Sequence, residues 1–226
     1  MQHQIVQPGM NAMLEIALSS GESVKAAAGS MVAKSEHIKV EGTMDGGPAS
    51  AIKRSLLGGD KFFFESLSAI DGGGKVLLAP DIPAEIKLLD IESGGDFYLV
   101  GGSFLAAMGD IQLDTKMQRF AEGLVSGEGL FLLTASGIGT IAVYALGSIY
   151  QVDIPAGQEY AVDQGHVIAW PAQVEYRLEK AAETWLDTLT SGEGIVSCFS
   201  GPGTVYLQSR NPRSFARWIK RHAPSA

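Results

Sequence analysis

The chain has 226 residues, 46% hydrophobic and 19% charged, a balance that excludes disorder and suffices for a substantial core. Its 28 glycines against 9 prolines suit many short strands joined by tight turns better than long helices. The net charge of −8 is uneven. From Ser209 onward the chain holds Arg210, Arg213, Arg217, Lys220 and Arg221 and no acid, leaving a body of net −13 that repels phosphate backbones and disfavours nucleic-acid binding.

Residues Met1 to Met13 show neither the basic start nor the apolar stretch of a secretion signal, and a lone cysteine, Cys198, leaves no internal disulfide. Both features point to a reducing compartment, the cytoplasm. From Leu14, LEIALSSGESVKAAA reads as strand, turn at Gly21, strand, which is a hairpin pattern. GSMVAKSEHIKVEGTM, from Gly29, passes from an apolar stretch through a polar turn into an alternating strand. Ser50–Leu57, with Lys53 and Arg54, has helical spacing and precedes two further strands. Between these strands, Gly72-Gly73-Gly74-Lys75 lacks the wider glycine frame and the Ser or Thr after lysine that a phosphate loop needs, so it reads as a turn.

The same succession follows twice more. IKLLDIESGGDFYLV (from Ile86) and IYQVDIPAGQEYAVD (from Ile149) repeat the first pattern, with turns at Gly94–Gly95 and Gly157. GSFLAAMGDIQLDTKM (from Gly102) and GHVIAWPAQVEYRLEK (from Gly165) align without a gap on the string from Gly29. In the alternating strand, Ile38, Val40 and Met44 match Ile111, Leu113 and Met117, then Val174, Tyr176 and Leu178. Helical spacing recurs at Gln118–Val125 and Ala182–Leu189, each followed by Ser-Gly-Glu-Gly (126–129 and 191–194) and two strands. The uncharged run from Gly129 to Val152 is long enough to span a bilayer. Glycines 137, 139 and 147 break it, so it reads as two buried strands joined by a turn at Ser136–Gly139.

The opening glycines, Gly29, Gly102 and Gly165, divide the chain at similar intervals. The expected architecture is all-β: three tandem β-sandwich repeats over 1–80, 81–147 and 148–211 in a pseudo-threefold arrangement, with short helical turns. A basic helical tail, 212–226, completes the chain; over Pro212 to His222 it sets Phe215, Trp218 and Ile219 against Arg217, Lys220 and Arg221.

Candidate chemistry is sparse. His3, His37, His166 and His222 are far apart and occupy no matching repeat positions, and no H-x-H or H-E-x-x-H occurs, so no metal site is expected. No nucleophile elbow or Walker sequence is present. Cys198, in an apolar strand, reads as a small core residue. Glu128 and Glu193 read as copies of one structural turn, not as a catalytic pair. No catalytic residue and no cofactor is expected.

AGSMV at 28–32, IKRSLLGG, Ser-Gly-Glu-Gly with its apolar strand, the Gly-His at 165–166 and GPGTVYLQSRN at 201–211 resemble, in order and from about Met13 to Asn211, a widespread uncharacterised family. It includes bacterial and archaeal proteins and mitochondrial proteins linked to biogenesis of the inner membrane. The resemblance implies a fold similar to the tryptophan RNA-binding attenuation protein, a ring-forming β-sandwich unit, tripled in one chain. It brings no site residues. The leading expectation is a non-enzymatic, self-associating scaffold: a homo-oligomer with an unknown protein partner, able to touch a membrane peripherally through the amphipathic segment Ala51–Leu57, its tail helix packing on its own protein or on a neighbouring subunit. The alternative is a small-ligand-binding protein with a pocket between repeats or subunits.

Overall fold

A computed structural model describes residues 1–43, 63–118, 130–180 and 195–223. The helical turns expected at Ser50–Leu57 and Ala182–Leu189, the one running on from Gln118, and both Ser-Gly-Glu-Gly elements with Glu128 and Glu193 lie outside the described residues.

Apart from one 3-10 turn and one helix, the described elements are strands. The first third contains β1 (Gln2–Val6), β2 (Met13–Leu18), β3 (Ser23–Ala27), β4 (Met31–Lys34), β5 (Ile38–Thr43), β6 (Phe64–Ala69) and β7 (Gly74–Leu78). The middle third contains β8 (Ala84–Ile91), β9 (Phe97–Val100), β10 (Phe104–Gln118) and β11 (Leu130–Leu146). The last third contains β12 (Ile149–Ile154), β13 (Glu159–Asp163), β14 (Val167–Pro171), β15 (Glu175–Lys180), β16 (Ile195–Ser200) and β17 (Gly203–Gln208). Helix α1 (Pro212–His222) ends the described chain, where the tail's periodicity places it.

Alternation sets which side each strand buries. In β2 Leu14, Ile16 and Leu18 face inward while their neighbours are half-exposed, the period-two pattern of a sheet with one dry face. The strands on either side of Gly21, Gly94 and Gly157 do not pair with each other as hairpins. β2 pairs with β7 while β3 pairs with β6, and β12 pairs with β17 while β13 pairs with β16. Each glycine, at φ between +74° and +83°, turns the chain from one layer to the other. Tertiary partners across the layer win over the local turn, because only that choice buries the apolar face of both strands.

One pairing order occurs in each third. β7 lies between β2 and β4, and β6 between β3 and β5. β17 lies between β12 and β14, and β16 between β13 and β15. In the middle third the same places are filled by halves of two long strands: β11 runs between β8 and the start of β10, then between β9 and the rest of β10.

The expected turn at Ser136–Gly139 is therefore absent, and β11 is continuous through it. Gly109, Gly137 and Gly139 make this possible. All three have positive φ; Gly109 lies opposite Gly139 in the β10–β11 ladder, and a Cβ on Gly137, opposite Ile111, would collide with the Asp110 carbonyl. The bare backbones close together and let both strands pass from one layer into the other. Among the described residues, no helix is long and apolar enough to cross a membrane.

One long sheet threads the thirds together in the order β12-β17-β14-β9-β11-β10-β3-β6-β5. Three core clusters lie along it, the first centred on Leu14 and Leu67, the second on Leu99 and Leu133, the third on Trp170 and Phe199. Trp170 is fully buried, edge-on to Phe199 at 5.2 Å and to Tyr176 at 4.8 Å.

Candidate interaction surface

The two junctions between thirds follow one rule. β10 of the middle third pairs with β3 of the first, Ala106 opposite Ala26 and Ala107 opposite Lys25. β14 of the last third pairs with β9 of the middle, Ala169 opposite Leu99 and Trp170 opposite Tyr98. On the ungapped alignment of the glycine-led strings these are the same positions in the same register.

A β-bulge sits at the matching step of β4, β10 and β14, between Met31 and Ala33, Phe104 and Ala106, and Val167 and Ala169. A bulge re-aims the extra side chain, here Val32, Leu105 and Ile168. Leu105 enters the first core cluster at 0% exposure and Ile168 the second at 1%. Each plugs the core of the preceding third. Ser103 ties the second junction further, its Oγ lying 3.0 Å from the Ile168 carbonyl.

The third bulge residue has no such place. Val32 is 55% exposed, and β4 pairs with β7 alone among the described strands. In the last third β13 likewise pairs with β16 alone among the described strands. Its Tyr160 corresponds to the buried Val24 and Phe97, yet is 46% exposed. Of the edge strands in the described structure, β4 and β13 are thus the two at the positions that its interior junctions use.

The β13 edge is held in place by charge. Arg177 of β15 grips Glu159 of β13 with two bonds of 2.7 and 3.0 Å and reaches Glu179 at 2.6 Å, while Ser200 Oγ donates to Glu159 at 3.2 Å. The Arg177 hydrogen bonds hold both carboxyls below their ordinary range, and the two carboxylates hold the guanidinium above its own. Cys198 lies beneath this cluster, its thiol donating to Glu179 at 3.3 Å. Burial first, then the Glu179 bond, push the thiol up and keep it protonated, as suits a core residue.

The sequence candidates separate. His166 is a latch: Nδ1 donates to the Gln208 carbonyl at 2.7 Å, and Nε2 lies 3.8 Å from Asp163. Asp163 also accepts from Asn211 Nδ2 at 3.1 Å, and Asn211 caps α1 by accepting from the Arg213 and Ser214 amides. A Cβ at Gly165 would overlap Asn211, which explains the Gly-His pair. His37 is exposed and its carbonyl accepts from Ile70 N, while His222 stacks on Trp218 at 4.7 Å. His3 lies in β1, opposite Ile16. The four are not brought together, and among the described residues no three His, Cys, Asp or Glu side chains group to hold a metal. Gly72–Gly74 is a strand-connecting turn; a Cβ on Gly73 would come 2.6 Å from the Leu18 carbonyl. An open groove of about 510 Å³ beside β1, lined by Met1, His3, Glu15 and Lys75 among others, lies within the first third and not between thirds.

A family profile described as mitochondrial biogenesis AIM24 matches residues 3–210. The chain is similar to an uncharacterised protein of Streptococcus pyogenes serotype M6, 32% identical over 221 residues, covering 95% of this chain and 88% of the relative. It is also similar to a Streptococcus pyogenes protein solved by X-ray crystallography in a structural genomics programme. That likeness has a TM-score of 0.81 at 31% identity, over 98% of this chain and 99% of the other.

Proposed function

The chain belongs to the mitochondrial biogenesis AIM24 family, and we propose that it acts as a self-associating scaffold whose copies join end to end through β4 and β13. The observation that carries this reading is the pair Val32 and Tyr160, exposed at the positions where both interior junctions bury their counterparts. Carrying the register of those junctions forward places Ala33 of one copy opposite Val162 of the next, and Lys34 opposite Ala161. Val32 would then plug the third core cluster as Leu105 and Ile168 plug the first two. The three thirds become successive arcs about one axis, and the pseudo-threefold expectation becomes a statement about one chain as part of a larger round.

Two physical points support the assembly. An unpaired strand edge is a template for another strand, and natural sheets pair it, cover it or blunt it with charge. β4 carries a single charge, Lys34, and the exposed stretch Glu159–Ala161 a single acid already spent on Arg177. A contact between two different surfaces is heterologous, so it closes into a ring or continues as a filament. The ring-forming sandwich unit implied by the sequence resemblance would use its edges in this way. Light scattering behind size exclusion tests the reading: a discrete mass of several chains is expected, and a strict 23.9 kDa particle at tens of micromolar would overturn it.

A further inference from the structure

We propose that helix α1 is an interfacial anchor that docks on an anionic lipid bilayer, a contact separate from the β4–β13 edges. Its eleven residues form three turns, roughly 16 Å long, and none of them is buried. At 100° per residue, Phe215, Trp218, Ile219 and His222 share one face, and Arg213, Arg217, Lys220 and Arg221 share the opposite one. The apolar face is finished yet uncovered. Phe215 stacks parallel to Trp218, which stacks on His222, while Trp218 is 52% and Ile219 45% exposed.

Charge selects the occupant. No acid lies between Ser209 and Ala226, whereas the rest of the chain has net charge −13. A basic helix is attracted to such a body, yet α1 stands off it, fixed at its start by the Asn211 cap and the Asn211–Asp163 bond. The apolar strip needs an apolar surface, and the cations need anions around its rim. The boundary between acyl chains and anionic headgroups supplies both: aromatic rings sit at that depth, and long Arg and Lys side chains reach back to the phosphates. The short strip, with tryptophan at its centre, suits lying in the interface and is far too short to span it.

The test uses the full chain and two vesicle compositions at low and high salt: phosphatidylcholine alone, and a seven-to-three mixture of phosphatidylcholine and phosphatidylglycerol. Each Lys or Arg near an anionic surface is worth roughly fivefold in binding, so retention on the anionic vesicles should exceed that on neutral ones by well over tenfold. It should fall as salt rises. R217E/K220E should abolish the preference. W218S/I219S should abolish retention on both, with the far-UV spectrum and thermal midpoint unchanged, because neither pair is buried. Trp218 emission should shift to the blue on binding. No retention on anionic vesicles, equal retention on both compositions, or retention undisturbed by W218S/I219S would overturn the proposal; the first of these would leave the helix face to a protein partner.

Discussion

Replacing Val32 with aspartate should separate the copies without unfolding them. In the single chain Val32 is more than half exposed, so the substitution removes little from the fold. In the assembly it should become as buried as Leu105 and Ile168. Fully burying a valine is worth roughly 1.5–3 kcal/mol, and covering the exposed half of Val32 about 1 kcal/mol. A carboxylate placed there instead adds a cost of about 2 kcal/mol or more, since the third cluster holds no cation to pair with it. The joint effect, about 3 kcal/mol, weakens each contact by roughly 150-fold. Y160D should do the same from the other edge. Each variant alone should run as a monomer by light scattering. Because the V32D chain keeps a sound β13 and the Y160D chain a sound β4, a mixture should form a one-to-one dimer and stop there. A mixture that stays monomeric, or single variants that keep the parent mass, would refute the head-to-tail reasoning.

Four further outcomes follow from the fold. G137A should lower the thermal midpoint by about 6 °C or more, because a Cβ at this positive φ meets the Asp110 carbonyl and costs about 2–3 kcal/mol. W170A should cost about 3–5 kcal/mol in denaturant unfolding, the range for an aromatic side chain removed from a packed core. Glu159 and Glu179 have lowered folded values, so their contribution is present above the ordinary carboxylate range and lost as pH falls through those values. The denaturant midpoint should therefore drop between about pH 5 and 3, and R177Q should flatten that dependence. Cys198 should react with a thiol reagent only as fast as the native protein opens, and at the rate of a free thiol once unfolded.

Much of the fold is legible from sequence because alternation and glycine are local signals. Ile38, Ile111 and Val174 are buried where the period-two strings place them, and α1 spans Pro212–His222 as its periodicity requires. Val40, next in the first series, is exposed; its strand β5 ends the long sheet, with a neighbour on one side only among the described strands. What stays hidden is set by partners distant in the chain. Gly21, Gly94 and Gly157 mark turns, but whether a turn joins strands of one sheet or of two layers depends on β6, β7 and their counterparts. β1, with the polar string QHQIV, forms only because β2 presents an open edge. The continuous β11 depends on Gly109 lying opposite Gly139, with Gly137 two places along the same strand, a relation between residues far apart in the chain. The candidate surface was invisible for the same reason. Val32, Leu105 and Ile168 are alike in sequence, and only the structure shows that two are covered and one is not.

Disulfide trapping at the inferred register tests the central claim most directly. In a C198A background, a K34C chain is mixed with an A161C chain under mild oxidation. Both sites are exposed and lie opposite each other in the register carried over from the Ala107–Lys25 and Trp170–Tyr98 pairs. The account predicts a mixed cross-linked dimer, formed in preference to either self-linked pair. It also predicts that the double variant K34C/A161C links into a ladder of several chains, or a closed ring of them. No mixed dimer, or a double variant that closes only within its own chain, would contradict it.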